Sequence, residues 1–150
     1  MSGLYIHIPF CKQACSYCDF YFLTRRQLRE PFVESLVSEI EASRVQKYVQ
    51  EPVKTIYIGG GTPSLLTANQ LSRIFDALQS VFDLRTDEVT MELNPDDVTI
   101  EYLEMLKGLG VNRASMGIQS FQPDILKFMH RAHTREEAIK ALEALHRADF

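Results

Sequence analysis

Residues 4–18 read LYIHIPFCKQACSYC, a short apolar stretch that runs directly into three closely spaced cysteines. The apolar residues at 4–8 predict a buried strand. Cys11, Cys15 and Cys18 are the only cysteines of the chain, and they follow that strand within one loop. Three further short apolar strands that end in polar or glycine-rich loops come later in the chain, and this succession decides the fold.

Strand-like and helix-like periods alternate along the sequence. Further strands are predicted at residues 55–58, at 89–93 and within 111–118. Helices are predicted at residues 30–48, after the capping residues Thr67 and Thr99, from Pro123, and after the capping box of Thr134 and Glu137. Because right-handed crossovers make such strands parallel, we expect an α/β protein with a parallel sheet covered by helices. A closed eight-stranded barrel takes about 250 residues, so we expect residues 1–150 to form one domain, a partial (β/α) TIM-like barrel.

Helical spacing also predicts which side chains face the core. The helix after Thr67 carries an apolar stripe, and Leu66 and Leu71 form a hydrophobic staple at its start. The core is also expected to contain the apolar residues of the last helix and the aromatic pair after the cysteines: Ile139, Leu142, Leu145, Phe20 and Phe22. The fourth strand has no successor in the chain, so we expect a longer chain or a partner, including a second copy, to cover its edge.

Composition excludes several classes of protein. The formal net charge is −4, which gives no electrostatic reason to expect nucleic acid binding. No stretch approaches the ~20 apolar residues of a membrane span, and the N-terminus lacks the features of a signal peptide. We therefore expect a cytoplasmic protein. Thiols stay reduced there, so three close cysteines indicate a metal-binding set rather than a disulfide framework.

Polar and glycine-rich residues cluster just after the predicted strands. Residues 59–62 follow the second strand, Glu92 lies at the end of the third, and Gln119 follows the fourth. Barrels and open α/β sheets place their ligands at the carboxyl ends of parallel strands. We therefore expect these residues and the three cysteines to line one site.

The cysteine triplet predicts a metal centre. Thiolates suit iron–sulfur clusters, zinc or copper(I), and cysteines grouped on a loop are a common way to bind a cluster. Three thiolates can hold three corners of a [4Fe–4S] cubane and leave one iron open to a small molecule. Zinc is the alternative, because the three cysteines and His7 would make a Cys3His site. His7 lies in a strand of alternating side-chain direction, which disfavours that set.

Several motifs carry a resemblance to a known family. The spacing C-x3-C-x2-C, with Tyr17 before the last cysteine, resembles the signature of radical S-adenosylmethionine (radical SAM) proteins. The chain is further similar to the oxygen-independent coproporphyrinogen III oxidase family and its haem-chaperone branch. That similarity lies in LYIHIPFC at residues 4–11, GGGTPS at 59–64, ELNP at 92–95 and SMGIQSF at 115–121. It covers nearly the whole chain and implies the barrel type of radical SAM proteins.

The resemblance implies a set of cofactor contacts. It implies a [4Fe–4S] cluster on the three cysteines and S-adenosylmethionine at the open iron, cleaved by one electron to a 5′-deoxyadenosyl radical. Carried over by motif, the residues that contact the nucleoside, the methionine end or the cluster are Tyr5, Tyr17, Gly60, Gly61, Thr62, Glu92, Gln119 and Arg131. Elementary chemistry agrees, because glycines admit a ligand close to the backbone. The Glu92 carboxylate suits an ammonium group, and the Arg131 guanidinium suits a carboxylate.

One position distinguishes the branches of this family. The oxidase has a fourth cysteine two residues after its third, whereas this chain has Phe20 there, as in the haem-chaperone branch. The resemblance therefore implies a haem chaperone-like protein, with haem or a porphyrinogen and an electron donor protein as partners of the intact protein. Two alternatives stay open. One is a coproporphyrinogen III oxidase that converts propionates to vinyl groups, and the other is a zinc-stapled binding module without catalysis.

Overall fold

The computed structural model describes residues 2–46 and 51–150. Within these ranges the elements follow in the order β1 (Ser2–Ile8), α1 (Arg29–Gln46), β2 (Val53–Gly60), α2 (Ala68–Val81), β3 (Leu84–Leu93), α3 (Ile100–Gly108), β4 (Arg113–Met116), α4 (Pro123–Phe128) and α5 (Arg135–Arg147). Single-turn 3₁₀ helices precede α1 and follow β2 and β3, at Arg26–Leu28, Pro63–Leu65 and Pro95–Asp97. The predicted alternation is confirmed. The predicted end of the first helix, at residue 48, lies outside the described residues.

The strands form one parallel sheet in the order β1-β2-β3-β4. Strands that follow each other in sequence are therefore neighbours in space, which is the order of a (β/α) barrel. Ile8 pairs with Gly60, and Leu93 pairs with Met116, so the carboxyl ends of the strands meet at one edge. The predicted α/β fold with a parallel sheet and partial-barrel order is confirmed.

The core lies between the sheet and the helices. Ile8, Ile58 and Met91 are fully buried in the strands, and α2 buries Leu71 and Ile74 against them. Each such side chain contributes about 1.5–3 kcal/mol through burial. The helix starts follow the sequence prediction, since both capping boxes form at the N-termini of α2 and α5.

Two strands are longer than predicted. The sequence places residues 59–62 after the second strand, but β2 includes Gly59 and Gly60 because they pair with the end of β1. β3 begins at Leu84 rather than at residue 89. Its first half is largely polar and resembles a loop in sequence, but Val53 pairs with Leu84 across a register shift and extends the ladder. Tertiary pairing thus overrides local composition in both strands.

Three core predictions are wrong. Ile139 and Leu142 are 39% and 42% exposed, and α5 instead buries Ala138 and Ala141. These small residues allow the helix to pack closely against the turn after β3 and against α3, which rotates the larger side chains outward. Phe20 is 66% exposed and lies on the cysteine loop, away from the core.

β1 and β4 are the two edge strands of the sheet, and the edge at β4 is the one that the sequence predicts to be covered. This strand pairs with β3 on one side, and on the other side no strand of residues 2–46 and 51–150 pairs with it. Covering of this edge by further chain or by a partner stays a prediction. None of the described helices is long and apolar enough to cross a membrane.

Candidate functional site

A cavity of about 320 Å³ opens at the carboxyl ends of the strands. Ligand pockets in proteins usually enclose about 300–1,000 Å³, so this cavity has the size of a small-molecule site. All of the predicted site residues except Tyr5 line it: Cys11, Cys15, Cys18, Tyr17, Gly60, Gly61, Thr62, Glu92, Gln119 and Arg131. The parallel sheet therefore brings together residues that are separated by more than a hundred positions in sequence.

Two backbone hydrogen bonds hold the cysteine loop, residues 11–18, to other parts of the chain. The Cys11 amide donates to the carbonyl of Leu23 at 3.0 Å, and the Ser16 amide donates to the carbonyl of Met129 at 3.2 Å. All three cysteines are free and half-buried. Burial raises the pKa of the Cys11 thiol, a hydrogen bond with Thr62 lowers it, and the neighbouring cysteines raise it further. A positive metal centre would offset both the burial and the mutual repulsion of the thiolates.

The glycine-rich loop passes directly against the cysteine loop. Gly60 has φ +112°, a left-handed conformation that suits glycine. A Cβ on Gly61 would stand 2.7 Å from the Phe10 carbonyl oxygen and 3.0 Å from the Cys11 sulfur. The Thr62 amide donates to that same carbonyl at 2.6 Å. The backbone at residue 61 can lie this close to the Cys11 thiol only because this residue has no side chain.

Glu92 is held in place by two donors. The Tyr57 hydroxyl donates to its Oε1 at 2.7 Å, and the Gly60 amide donates to its Oε2 at 3.0 Å. The hydrogen bond with Glu92, followed by burial, raises the pKa of Tyr57. The Glu92 carboxylate therefore lies fixed at the cavity wall, where it can accept hydrogen bonds from an ammonium or hydroxyl group.

Arg131 connects the cysteine loop to the ends of β3 and β4. Its Nη2 donates to Asn94 Oδ1 at 2.8 Å and to the Gly117 carbonyl at 2.7 Å. Its Nη1 lies 3.5 Å from the Cys15 sulfur and 3.4 Å from the Tyr17 hydroxyl. These bonds fix a positively charged guanidinium group at the cavity, where its Nη1 can donate to a carboxylate, whereas both Nη2 hydrogens are already used.

Gln119 has φ 66°, a left-handed backbone conformation that is uncommon for a residue with a side chain. Such conformations cost of order 1–3 kcal/mol and cluster at ligand sites. The conformation lies in the loop that follows β4, and the Gln119 side chain is part of the cavity lining.

Sequence reasoning missed several residues of the site. Tyr57 and Asn94 hold Glu92 and Arg131, and Lys12 and Phe20 contribute to the cavity lining. Tyr57 had a detectable signal, because it lies two positions before Gly59 in β2 and shares its face of the sheet. Asn94 belongs to the quoted ELNP motif but received no role. Lys12 and Phe20 also had a signal, because they lie one position after Cys11 and two positions after Cys18.

Tyr5 lies outside the cavity lining. Its ring stacks on Tyr57 with 6.0 Å between centroids, and its hydroxyl lies 3.1 Å from His7 Nδ1. Contact of Tyr5 with a cofactor stays a prediction. His7 also lies outside the lining of the cavity that the three cysteines share, and its ring lies beside Gly60. Within residues 2–46 and 51–150, no three side chains of His, Cys, Asp or Glu are grouped as ligands of one metal ion.

Comparison with known proteins decides the family. The family model described as the radical SAM superfamily matches residues 5–150. This chain belongs to the radical SAM superfamily. Membership implies a [4Fe–4S] cluster and S-adenosylmethionine, as the sequence motifs also predict.

Two curated relatives of this radical SAM chain share a name. It is 40% identical over 151 residues to the protein named heme chaperone HemW of Lactococcus lactis, covering 99% of this chain and 38% of that protein. The protein of the same name from Bacillus subtilis is 38% identical over 154 residues, covering 100% of this chain and 40% of the relative. The chain therefore spans about two fifths of the length of these relatives.

Solved structures agree on the fold. Coproporphyrinogen III oxidase (HemN) from Escherichia coli, described as a radical SAM enzyme, superposes with a TM-score of 0.85 and 28% identity. The match covers 99% of this chain and 35% of the oxidase. The structure titled native anSMEcpe with bound AdoMet superposes with a TM-score of 0.65 at 16% identity, covering 99% and 41% of the two chains, and it supports the fold alone.

The side chains of this radical SAM chain fit both implied groups. Three free thiols face one cavity, as three corners of a cubane require. Beside them, a backbone stretch without side chains, a fixed carboxylate and a fixed guanidinium line the same space. An amino-acid group could approach the glycine backbone closely. Its ammonium could donate to the Glu92 carboxylate, and its carboxylate could accept from the Arg131 guanidinium.

Proposed function

We propose that this chain binds a [4Fe–4S] cluster through Cys11, Cys15 and Cys18 and S-adenosylmethionine in the adjoining cavity. It would then be the radical SAM core domain, residues 1–150, of a haem chaperone-like protein. The observation that carries this proposal is the convergence of the three thiols with Glu92 and Arg131 on one cavity of small-molecule size. When bound, the cluster supplies an electron for reductive cleavage of S-adenosylmethionine.

The protein's own part in this chemistry is to position and orient. Gly60, Gly61 and Thr62 would bind the methionine end through the backbone. Glu92, whose orientation is fixed by Tyr57 and by the Gly60 amide, would accept a hydrogen bond from an ammonium or hydroxyl group. Tyr17, Gln119 and Arg131 would contribute further polar contacts from the cavity lining.

Anaerobic reconstitution tests the cofactor assignment. We expect four irons and four sulfides per chain, and saturable binding of S-adenosylmethionine that requires the cluster. Zinc in the place of iron and sulfide, in protein prepared without oxygen, would refute this assignment and leave the zinc-stapled module.

Two observations favour the haem-chaperone branch. The curated relatives quoted above are named heme chaperone HemW at about 40% identity. In addition, Phe20 occupies the place of the oxidase's fourth cysteine, and its exposed ring is part of the cavity lining. We therefore propose haem as the cargo of the intact protein, an electron donor protein as its partner and the cytoplasm as its location.

The second candidate is a coproporphyrinogen III oxidase. It is favoured by the TM-score of 0.85 to the enzyme of that name. The two candidates make different predictions for the full-length protein. The chaperone is expected to bind haem stoichiometrically and to leave coproporphyrinogen III unchanged, whereas the oxidase is expected to convert it to protoporphyrinogen in the presence of S-adenosylmethionine and a reductant.

A further inference from the structure

Lys12 forms an ion-pair cluster with two aspartates beside the cysteines. It occupies one of the positions between Cys11 and Cys15 that the spacing of the cysteine motif leaves open. Its Nζ lies 2.5 Å from Asp96 Oδ2 and also contacts Asp97 Oδ1. Both aspartate side chains are only 11% exposed. One ammonium group therefore holds together two adjacent carboxylates that would otherwise repel each other.

This cluster joins three loops of the site. The aspartates lie in the 3₁₀ turn Pro95–Asp97, directly after β3. The other oxygen of Asp97 accepts a hydrogen bond from Ser64 Oγ at 2.7 Å, and Ser64 follows the glycine-rich loop. The Asn94 amide also donates to Ser64 Oγ at 3.3 Å. Lys12 thus connects the cysteine loop to the loops that follow β2 and β3.

The opposite side of the cysteine loop is attached to a different element. Gln13 Nε2 donates to the His130 carbonyl at 2.5 Å, and Ser16 Oγ donates to the Phe128 carbonyl at 3.1 Å. Phe128 is the last residue of α4, and His130 lies two residues beyond it. The loop is therefore held between two anchors, with the Lys12 ion pairs on one side and α4 on the other.

We propose that Lys12 is a positioning residue: its ion pairs with Asp96 and Asp97 hold the cysteine loop against the cavity before a cluster arrives, with all three cysteines in the cavity lining. This inference rests on the proposed function, because the cluster is what the cysteine loop would receive. The role differs from ligation, since Lys12 acts on the loop and not on the iron.

The test measures the order of the loop in cluster-free protein. Three loop amides donate backbone hydrogen bonds and serve as reporters in hydrogen exchange of the full chain: Cys11, Ser16 and Cys18. In Lys12→Met we expect exchange at these amides to be faster by about tenfold or more, because local opening becomes easier. Cluster assembly during anaerobic reconstitution is expected to slow as well. Unchanged exchange at all three amides would overturn the proposal.

Two control variants isolate the role of the ion pairs. Lys12→Arg keeps the charge and is expected to keep exchange near that of the wild type. Lys54→Met removes another lysine, whose ion pair with Asp87 spans 3.7 Å on the surface. This change is expected to leave the loop amides unaffected. Equal acceleration in Lys54→Met and Lys12→Met would overturn the proposal.

Lys12→Met leaves two buried carboxylates facing each other, so a further variant removes that repulsion. It combines Lys12→Met with Asp96→Asn and Asp97→Asn. If Lys12 positions the loop, the three reporter amides of the triple variant still exchange faster than those of the wild type. The triple variant therefore tests the role of Lys12 even where Lys12→Met fails to fold. Return to wild-type exchange in the triple variant would assign the effect to repulsion alone and overturn the proposal.

The proposed function and the role of Lys12 fail in different ways. Absence of iron and sulfide in reconstituted wild-type protein would refute the cluster. The exchange rates are measured without a cluster, so they would still decide whether Lys12 orders the loop.

Discussion

Substituting alanine for Gly61 tests the close contact between the glycine-rich loop and the cysteine loop. The added Cβ would stand 2.7 Å from the Phe10 carbonyl oxygen and 3.0 Å from the carbonyl oxygen of Ile8 and from the Cys11 sulfur. Both oxygens are backbone atoms that already accept hydrogen bonds from Gly61 and Thr62, so they cannot move cheaply. Inserting a methyl group into such a packed position costs typically about 1–3 kcal/mol. We expect the free energy of unfolding to fall by that amount and Cys11 to be displaced.

Urea unfolding of the cluster-free chain measures the stability change, and iron analysis after anaerobic reconstitution measures the effect on the site. Gly108→Ala is the matched control, because a Cβ there meets nothing within 4 Å. Gly108 is the last residue of α3, so alanine is expected to stabilise the chain by about 0.4–1 kcal/mol. If Gly61→Ala unfolded at the wild-type urea concentration and took up four irons, the argument from this close contact would be refuted.

Three other changes probe the cysteines, the carboxylate and a buried imidazole. Cys15→Ser is expected to lose the cluster, since two thiolates cannot hold the cube, and full iron and sulfide content in this variant would contradict the ligand set. Glu92→Ala is expected to weaken S-adenosylmethionine binding by about 10- to 100-fold, the value of one or two hydrogen bonds to a charged group, and to spare the cluster. Equilibrium dialysis checks this, and an unchanged dissociation constant would remove Glu92 from the site. Burial, together with the charge of Arg131, lowers the pKa of His133. As the pH falls, the imidazole is therefore protonated in the unfolded chain before it is protonated in the folded chain. The free energy of unfolding is therefore expected to fall as the pH drops below about 6.5. His133→Gln is expected to flatten this dependence below about pH 6.5, and an unaltered slope would assign it to other groups.

The sequence contained enough information for the order of elements, because hydrophobic period and capping residues are local signals. Thr67 and Thr134 mark the starts of α2 and α5 through their capping boxes. The limits of the strands depend on partners distant in sequence, so the polar first half of β3 could not be assigned from its own residues. The outward rotation of Ile139 likewise depends on the close packing of two alanines of α5, which spacing alone does not reveal.

The site was predictable to the extent that it follows from topology. Parallel strands end at one edge, so Glu92, Gln119 and the cysteines had to approach each other. The supporting residues were not predictable in this way. Tyr57 and Asn94 act through hydrogen bonds whose partners lie more than thirty positions away, and local pattern carries no information on such pairs.

The attachment of the cysteine loop to the end of α4 has a consequence for biosynthesis. Gln13 and His130 are 117 positions apart, so the amino-terminal thiols leave the ribosome long before the segment that supports them. At about 5–20 residues per second, this interval lasts roughly 6–23 s. During that time the nascent chain lacks the contacts that hold the cysteine loop to the end of α4. Loading with iron and sulfide is therefore expected to follow translation of residue 130, and factors that shield nascent cysteines from oxidation would increase the yield of holoprotein.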